Sequence, residues 1–363
     1  MKNVIIYGAG EYGKNAARKL KNNSEFKLLG FYDTYKSNME ELEFIDLENR
    51  FVEYVRDCYV IICMYNWKGQ ISVYKKLRNW GFREIYIYRN KEVSFGKNFL
   101  ESECLYCGNH YDNELVYLET HLVDFCNLNC RGCTHFSPLF SNEFQLLERC
   151  REDINCLKDK VEGIRVLFLM GGEPLLNPDI MKYIEMYRQE LPNTQLGIVT
   201  NGLLLLKMKK EFFECLRNND VMISISEYKP THRIIEEIKE CLEKNRIDYG
   251  IRKYETKAKF SIAYTVNNNT SRERYCLAPG CINIWNGKVS PCPSVMYIHK
   301  FNEKFNENMP QEGIIDLYNT ELQGKELLDV LYGKIPLCNH CVKGEIEWEI
   351  CKTPKKEDFA WSD

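Results

Sequence analysis

Two kinds of apolar pattern alternate along this chain. Short runs of β-branched and aromatic residues, Asn3–Tyr7, Phe26–Phe31, Tyr59–Met64 and Glu84–Tyr88, predict strands. Segments at about 11–22 and 70–80 carry apolar residues at helical spacing between them. From Tyr117 the alternation resumes, with strands predicted at 117–125, 164–170, 195–200, 221–226 and 247–254. Helices are predicted between them at about 143–160, 178–190, 208–218 and 231–245. Such alternation predicts parallel sheets covered by helices, with ligands at the carboxyl ends of the strands. Past Tyr264 it gives way to a polar connector, Asn267–Thr270, and then to a hairpin that turns at Asn286-Gly287. The fold class is therefore α/β, with two strand–helix regions followed by a small β-hairpin and helix extension.

Glycines punctuate the first strand. Gly8-Ala-Gly10-Glu-Tyr-Gly13 opens a helix directly after Asn3–Tyr7, and Asp33 ends the second strand twenty positions beyond the last of these glycines. In that context the glycines let the backbone approach a diphosphate at a helix N-terminus, where free N–H groups favour an anion. Asp33 would accept from ribose hydroxyls. The strands and helices close by about residue 92, which predicts a small Rossmann-like nucleotide-binding domain over residues 1–92. Residues 93–114 read as a connector holding Cys104 and Cys107; with His110 they would make part of a zinc knuckle, or else they are unliganded thiols.

Charge and cysteine content narrow the class. Lys and Arg number 49 against 52 Asp and Glu, without the basic excess of a nucleic-acid binder. No run approaches the ~18 apolar residues of a membrane span, and the N-terminus does not read as a leader, so a cytoplasmic protein is expected. Seventeen cysteines, an odd number, argue for reduced thiols and metal ligands rather than a disulfide framework. Cys58, Cys63, Cys150, Cys156, Cys215 and Cys241 lie on strands or helix faces and read as small buried hydrophobes.

The remaining cysteines cluster. Cys126-Asn-Leu-Asn-Cys130-Arg-Gly-Cys133 puts three thiols on one loop after a strand. Iron–sulfur clusters normally take four thiolates, so three from one loop leave one iron of a cube open. Met170-Gly-Gly-Glu173-Pro174 follows the next predicted strand and Thr200-Asn-Gly202 the one beyond. These motifs, in this order, resemble the radical S-adenosylmethionine superfamily, and the resemblance covers roughly Tyr117 to Tyr264. It implies a partial (β/α)6 barrel over residues 115–268, a 4Fe-4S cluster on Cys126, Cys130 and Cys133, and S-adenosylmethionine chelated to the open iron. Gly171, Gly172 and Glu173 would hold the methionyl amine, and Asn201, Ser224 and Ser226 would contact ribose or carboxylate. Family members commonly carry an aromatic residue before the last cysteine of the loop; here it is Gly132, so no adenine stacker is assigned, and Phe136 or backbone alone would pack the base. His135, beside the loop, is a candidate to touch substrate or a cluster sulfur.

A second set, Cys276, Cys292, Cys338 and Cys341, resembles the twitch variant of the SPASM extension over residues 269–363. That resemblance implies an auxiliary 4Fe-4S cluster; a zinc ribbon would use the same thiolates. Cys281 and Cys351 stay unassigned, Cys281 being a candidate hydrogen donor. The function expected is a radical S-adenosylmethionine oxidoreductase, of dehydrogenase or epimerase type. Residues 1–92 resemble the small nucleotide-binding domains that precede sugar-modifying catalytic domains in surface-polysaccharide enzymes, which implies a small-molecule substrate, a carbohydrate or nucleotide-sugar precursor of cell-surface glycans; flavodoxin or ferredoxin would supply electrons. A maturase of ribosomal peptides and a non-catalytic zinc or iron–sulfur redox sensor are the alternatives. The general base, the carbon attacked and the oligomeric state are not legible.

Overall fold

The computed structural model describes residues 1–21, 23–35, 43–95, 98–107, 114–253, 259–260, 264–268, 272–276 and 278–361. His110 and Asn269–Thr270 lie outside the described residues. The chain divides into two compact units, Met1–Asp112 and Asn113–Asp363.

The first unit is a five-stranded sheet built on β1 (Lys2–Tyr7), with β2 (Phe26–Tyr32), β3 (Cys58–Ile62), β4 (Ile85–Tyr88) and β5 (Cys104–Tyr106) in the order β2-β1-β3-β4-β5. The first four are parallel, and Tyr7 lies opposite both Tyr32 and Ile62. Val4, Ile5, Ile6, Val60, Ile61 and Ile62 are wholly buried, as expected of a parallel sheet covered on both faces. Helices α1 (Glu11–Lys21), α2 (Leu47–Tyr54) and α3 (Trp67–Asn79) connect these strands. Asn66 starts α3 with its side chain accepting from Gly69 N at 3.0 Å.

The sheet does not close at residue 92. A short helix α4 (Phe99–Glu103) leads into β5, which runs antiparallel to β4. Cys104 and Cys107 are both buried, and Cys104 joins the apolar cluster of Val4, Ile61 and Tyr88. Residues 98–107 are thus an edge of the first sheet rather than a free connector, and burial pushes the Cys104 thiol well up from its ordinary value.

The second unit holds an eight-stranded sheet. Its strands are β6 (Leu118–Val123), β7 (Val166–Gly171), β8 (Gln195–Thr200), β9 (Val221–Ser226), β10 (Tyr249–Arg252), β11 (Ile282–Trp285), β12 (Lys288–Ser290) and β13 (Ile315–Asp316). The order is β10-β9-β8-β7-β6-β11-β12-β13. Strands β6 to β10 are parallel, linked by α5 (Leu147–Lys158), α6 (Ile180–Glu190), α7 (Lys210–Asn218), α8 (Lys229–His232) and α9 (Ile235–Lys244). All five strands end on one side, as a partial barrel requires.

The hairpin is part of this sheet. β11 pairs parallel with β6, so the strand expected to begin a separate extension becomes the sixth parallel strand. Asn286 and Gly287, both at positive φ, make the turn into β12. Helix α10 (Pro293–Phe305) then packs Val295, Met296, Ile298 and Phe301 into a core shared with Tyr264, Phe136 and Phe359, and α11 (Gly324–Leu331) follows. Among the described residues no helix is long and apolar enough to cross a membrane.

Candidate cluster and cofactor site

The loop after β6 is held from below by the Gly-Gly-Glu turn after β7. Gly172 N donates to Val123 O at 2.8 Å and Glu173 N to Phe125 O at 3.1 Å. A Cβ on Gly171 would overlap Val123 O, and one on Gly172 would overlap Phe125 O. Both glycines are therefore required by the close approach of two backbones, before any ligand is considered.

Glu173 is wholly buried. Its carboxylate accepts from Thr200 Oγ1 at 2.7 Å, Asn201 N at 2.8 Å and Leu175 N at 3.1 Å, tying the ends of β7 and β8 together. Burial pushes its carboxyl up to about 7, against these donors, which favour the charged form. Asn201 links onward to the cysteine loop: its Nδ2 donates to Asn127 Oδ1 at 2.7 Å and lies 3.8 Å from Cys126 Sγ. Ser224 and Ser226 share the face of β9 opposite buried Ile223 and Ile225, and both are half-buried. Gly171–Glu173, Asn201 and Ser226 thus fall with the cysteines at one end of the sheet.

Each loop sulfur has N–H donors near it. Leu128 N donates to Cys126 Sγ at 3.4 Å, and Trp348 Nε1 donates to Cys130 Sγ at 3.1 Å. Burial pushes the Cys126 thiol up to about 12, and Cys130 is raised for the same reason. Cys133 differs: burial would raise it, but hydrogen bonding to His135 and the imidazolium charge outweigh that and lower it. Burial pulls His135 down, yet its bonds to Cys133 and Glu119 push it up to about 9. Three thiols on one loop, supplied with N–H donors at the mouth of a parallel sheet, fit an iron–sulfur cluster with the donor set such clusters use.

Behind the loop lies a buried polar network absent from the sequence reading. Glu119 accepts from Tyr117 OH at 2.5 Å and Asn283 Nδ2 at 2.8 Å, and lies 3.5 Å from His135 Nε2. His121 pairs with Asp124 at 2.9 Å and stacks on Tyr297 at 4.2 Å. Glu119 and His121 alternate along β6 with residues of the opposite face, a signal that period-two reading of 117–123 would have revealed. Phe136 is wholly buried against Tyr264, Phe301 and Phe359, so its ring offers no face to adenine.

In the second set, Cys292 caps α10, Cys338 lies in the short helical turn Pro336–Asn339, and Cys341 bridges to Tyr264. Cys276 precedes the hairpin on irregular backbone rather than on the strand before it. Burial raises Cys341, and the neighbouring Cys292, Cys338 and Cys276 raise it further; burial likewise raises Cys292 to about 12, with Cys276 and Cys338 adding to it. Cys292, Cys338 and Cys341 pack against one apolar cluster, that of Tyr264, Val295 and Phe359. Cys281 is also raised by burial, with the charges of Glu119, Cys292 and Cys276 adding to it. Cys351 sits elsewhere, donating to Asp358 Oδ2 at 3.2 Å. Among the described residues, no group of three or more His, Cys, Asp or Glu is gathered closely enough to hold a single metal ion.

In the first unit, Ala9 N in the glycine turn donates to Asp33 Oδ2 at 2.8 Å, and Asp33 Oδ1 accepts from Tyr35 N. A Cβ on Gly8 or Gly13 would collide with backbone, whereas one on Gly10 would meet nothing within 4 Å. Asp33 and two of the three glycines therefore already serve the turn itself.

Residues 102–248 match the sequence profile of the Radical SAM superfamily. The chain is 33% identical over 96 residues to the GTP 3′,8-cyclase of Sulfurimonas denitrificans, spanning 26% of this chain and 30% of that protein. It is 27% identical over 124 residues to the enzyme of the same name from Nautilia profundicola, spanning 33% and 38%. The chain thus spans about a third of the length of these curated relatives. A solved structure of BtrN in complex with AdoMet and 2-DOIA aligns with 62% of this chain and 92% of its own, at 14% identity and a TM-score of 0.40. The loop of Cys126, Cys130 and Cys133, the two motif-bearing strand ends and the matched profile together identify the segment: this chain carries a radical SAM domain, of the superfamily that binds a 4Fe-4S cluster and S-adenosylmethionine.

Proposed function

We propose that the protein is a radical SAM oxidoreductase, of dehydrogenase or epimerase type, acting on a carbohydrate or nucleotide-sugar precursor of surface glycans. The observation that carries the chemistry is the loop of Cys126, Cys130 and Cys133, whose first turn is bonded to the Gly172–Glu173 backbone and to Asn201. When bound, the cluster and S-adenosylmethionine supply the 5′-deoxyadenosyl radical that takes a hydrogen atom from an unactivated carbon. The chain's own residues position and enclose. Glu173 offers a negative charge for the methionyl ammonium, Asn201 and the Ser224–Ser226 face offer polar contacts to ribose and carboxylate, and the buried Glu119–Asn283–Tyr297 network closes the interior behind the loop. Cys276, Cys292, Cys338 and Cys341 would hold an auxiliary 4Fe-4S cluster able to take the second electron of an oxidation. Flavodoxin or ferredoxin would supply the first.

The substrate class rests on the resemblance of the first unit to the nucleotide-binding domains that precede sugar-modifying enzymes of surface polysaccharides; the open approach at Gly10 supports only the diphosphate part of it. The chain spans only about a third of the curated cyclases, so their named substrate is not carried over to it. The test is anaerobic reconstitution followed by incubation with reductant, S-adenosylmethionine and pools of nucleotide sugars. Substrate-dependent release of 5′-deoxyadenosine is expected; release only with peptide substrates would replace the sugar reading, and none from iron-loaded protein would leave a redox sensor.

A further inference from the structure

The last described stretch of the chain returns to the cluster loop across more than two hundred residues. Cys130 and Ile350 form an antiparallel bridge. Arg131 N donates to Glu349 O at 3.1 Å, Cys351 N to Asn129 O at 2.6 Å, and Gly132 N to Asp358 O at 2.5 Å. Side chains repeat the pairing: Arg131 Nε bonds Asp358 Oδ1 at 2.8 Å and Arg131 Nη1 bonds Glu349 Oε2 at 2.9 Å. Asn129 and Gly132 both have positive φ, a loop shape that turns their neighbouring N–H and C=O groups outward to this strap. Within it, Trp348 is buried, stacks on Tyr228 at 5.6 Å and 25°, packs with Leu128 and Cys130, and donates its indole N–H to Cys130 Sγ at 3.1 Å.

We propose that Trp348 is a positioning residue of the radical SAM cluster, and that the strap 346–359 delivers its N–H to the Cys130 sulfur so as to raise the cluster's reduction potential. The inference rests on the functional reading above. Its physics is independent of substrate. Reduction adds negative charge that spreads onto the thiolate sulfurs, and a fixed N–H dipole stabilises that charge more in the reduced state than in the oxidised one. The backbone bridge and the Arg131 pairs hold the donor in place, and the Tyr228 stack fixes the plane of the indole. A side chain retained only for packing would need the ring but not the nitrogen.

Trp348→Phe separates the two roles, since it keeps an aromatic ring on Tyr228 and removes the N–H. The expected result, in anaerobically reconstituted full-length protein, is unchanged iron per chain with a more negative midpoint potential in an EPR-monitored redox titration. The wild-type chain gives a reading free of any folding defect. With nitrogen-15 in its indole rings, the reduced cluster should show a nitrogen-15 coupling by ENDOR in place of the nitrogen-14 coupling of the unlabelled protein. An unchanged potential in Trp348→Phe, or no indole coupling in the wild-type cluster, overturns the inference while leaving the functional reading intact. A wild-type chain that assembles no 4Fe-4S signal overturns both.

Discussion

At the scale of single residues, Glu173 carries opposing demands. Its carboxyl is pushed up to about 7 by burial, so near neutrality it is divided between acid and carboxylate. If the methionyl ammonium pairs with it, only the ionised form serves, and binding of S-adenosylmethionine releases a proton below that pH. The sign follows: affinity rises as pH rises through about 7 and levels off above it. Roughly tenfold weaker binding is expected at pH 6 than at pH 8, one proton being displaced. Glu173→Gln should flatten that profile, as followed by calorimetry on reconstituted protein; a profile that Gln leaves unchanged would remove Glu173 from the ligand. Gly172 makes a simpler demand. Its missing side chain is where Phe125 O sits, so Gly172→Ala must push the cysteine loop off the sheet. The expected cost is about 2–4 kcal/mol, seen as a lower urea midpoint, together with loss of iron from the isolated protein. Normal iron loading in the Ala variant would mean that the turn yields more easily than its two backbone hydrogen bonds imply.

At the scale of elements, what could be read from the chain divides by how the contacts are made. The alternating strands and helices of both units were legible because each parallel strand is an apolar run and each covering helix shows its period. The hairpin turn was legible from Asn286-Gly287. Its partner was not: β11 joins β6 through backbone hydrogen bonds, which leave no trace in side-chain type. The strap is an intermediate case. The alternation Glu345-Ile-Glu-Trp-Glu-Ile350 is a strand pattern in its own right, yet nothing local says that it returns to Cys130. The candidate site shows the same division, for the cysteine spacing drew attention to the loop and alternation puts Glu119 and His121 on one strand face, while their partners and Trp348 enter only through folding. The second cysteine set is where an element-level prediction belongs. Replacing Cys338 and Cys341 together by Ala should lower iron from about eight to about four per chain, if each set holds one cube. Cleavage of S-adenosylmethionine without substrate should survive, because the first loop keeps its ligands. One zinc and about four irons per wild-type chain would point instead to a ribbon.

At the scale of the whole molecule, two sheets of similar construction carry unequal demands. The second unit gathers its motif residues at the carboxyl ends of its parallel strands, where Ser224 and Ser226 stay half-buried. In the first unit, Asp33 is already bonded to Ala9 N, and Gly8 and Gly13 are required by the packing of the turn. A glycine turn retained for folding alone would look the same at those three positions. Gly10 distinguishes the cases, since a methyl group there meets no protein atom within 4 Å. Gly10→Ala should therefore leave folding and the iron–sulfur chemistry of the second unit unchanged. If a diphosphate seats at the start of α1, however, the added methyl stands where the phosphate oxygens approach the backbone. Binding of a nucleotide sugar to the full-length chain should then weaken by about tenfold or more, equivalent to at least ~1.4 kcal/mol, with 5′-deoxyadenosine formation in the absence of that ligand unaffected. Equal affinity in the two proteins would assign the turn to architecture and leave the substrate to be recognised wholly within the second unit.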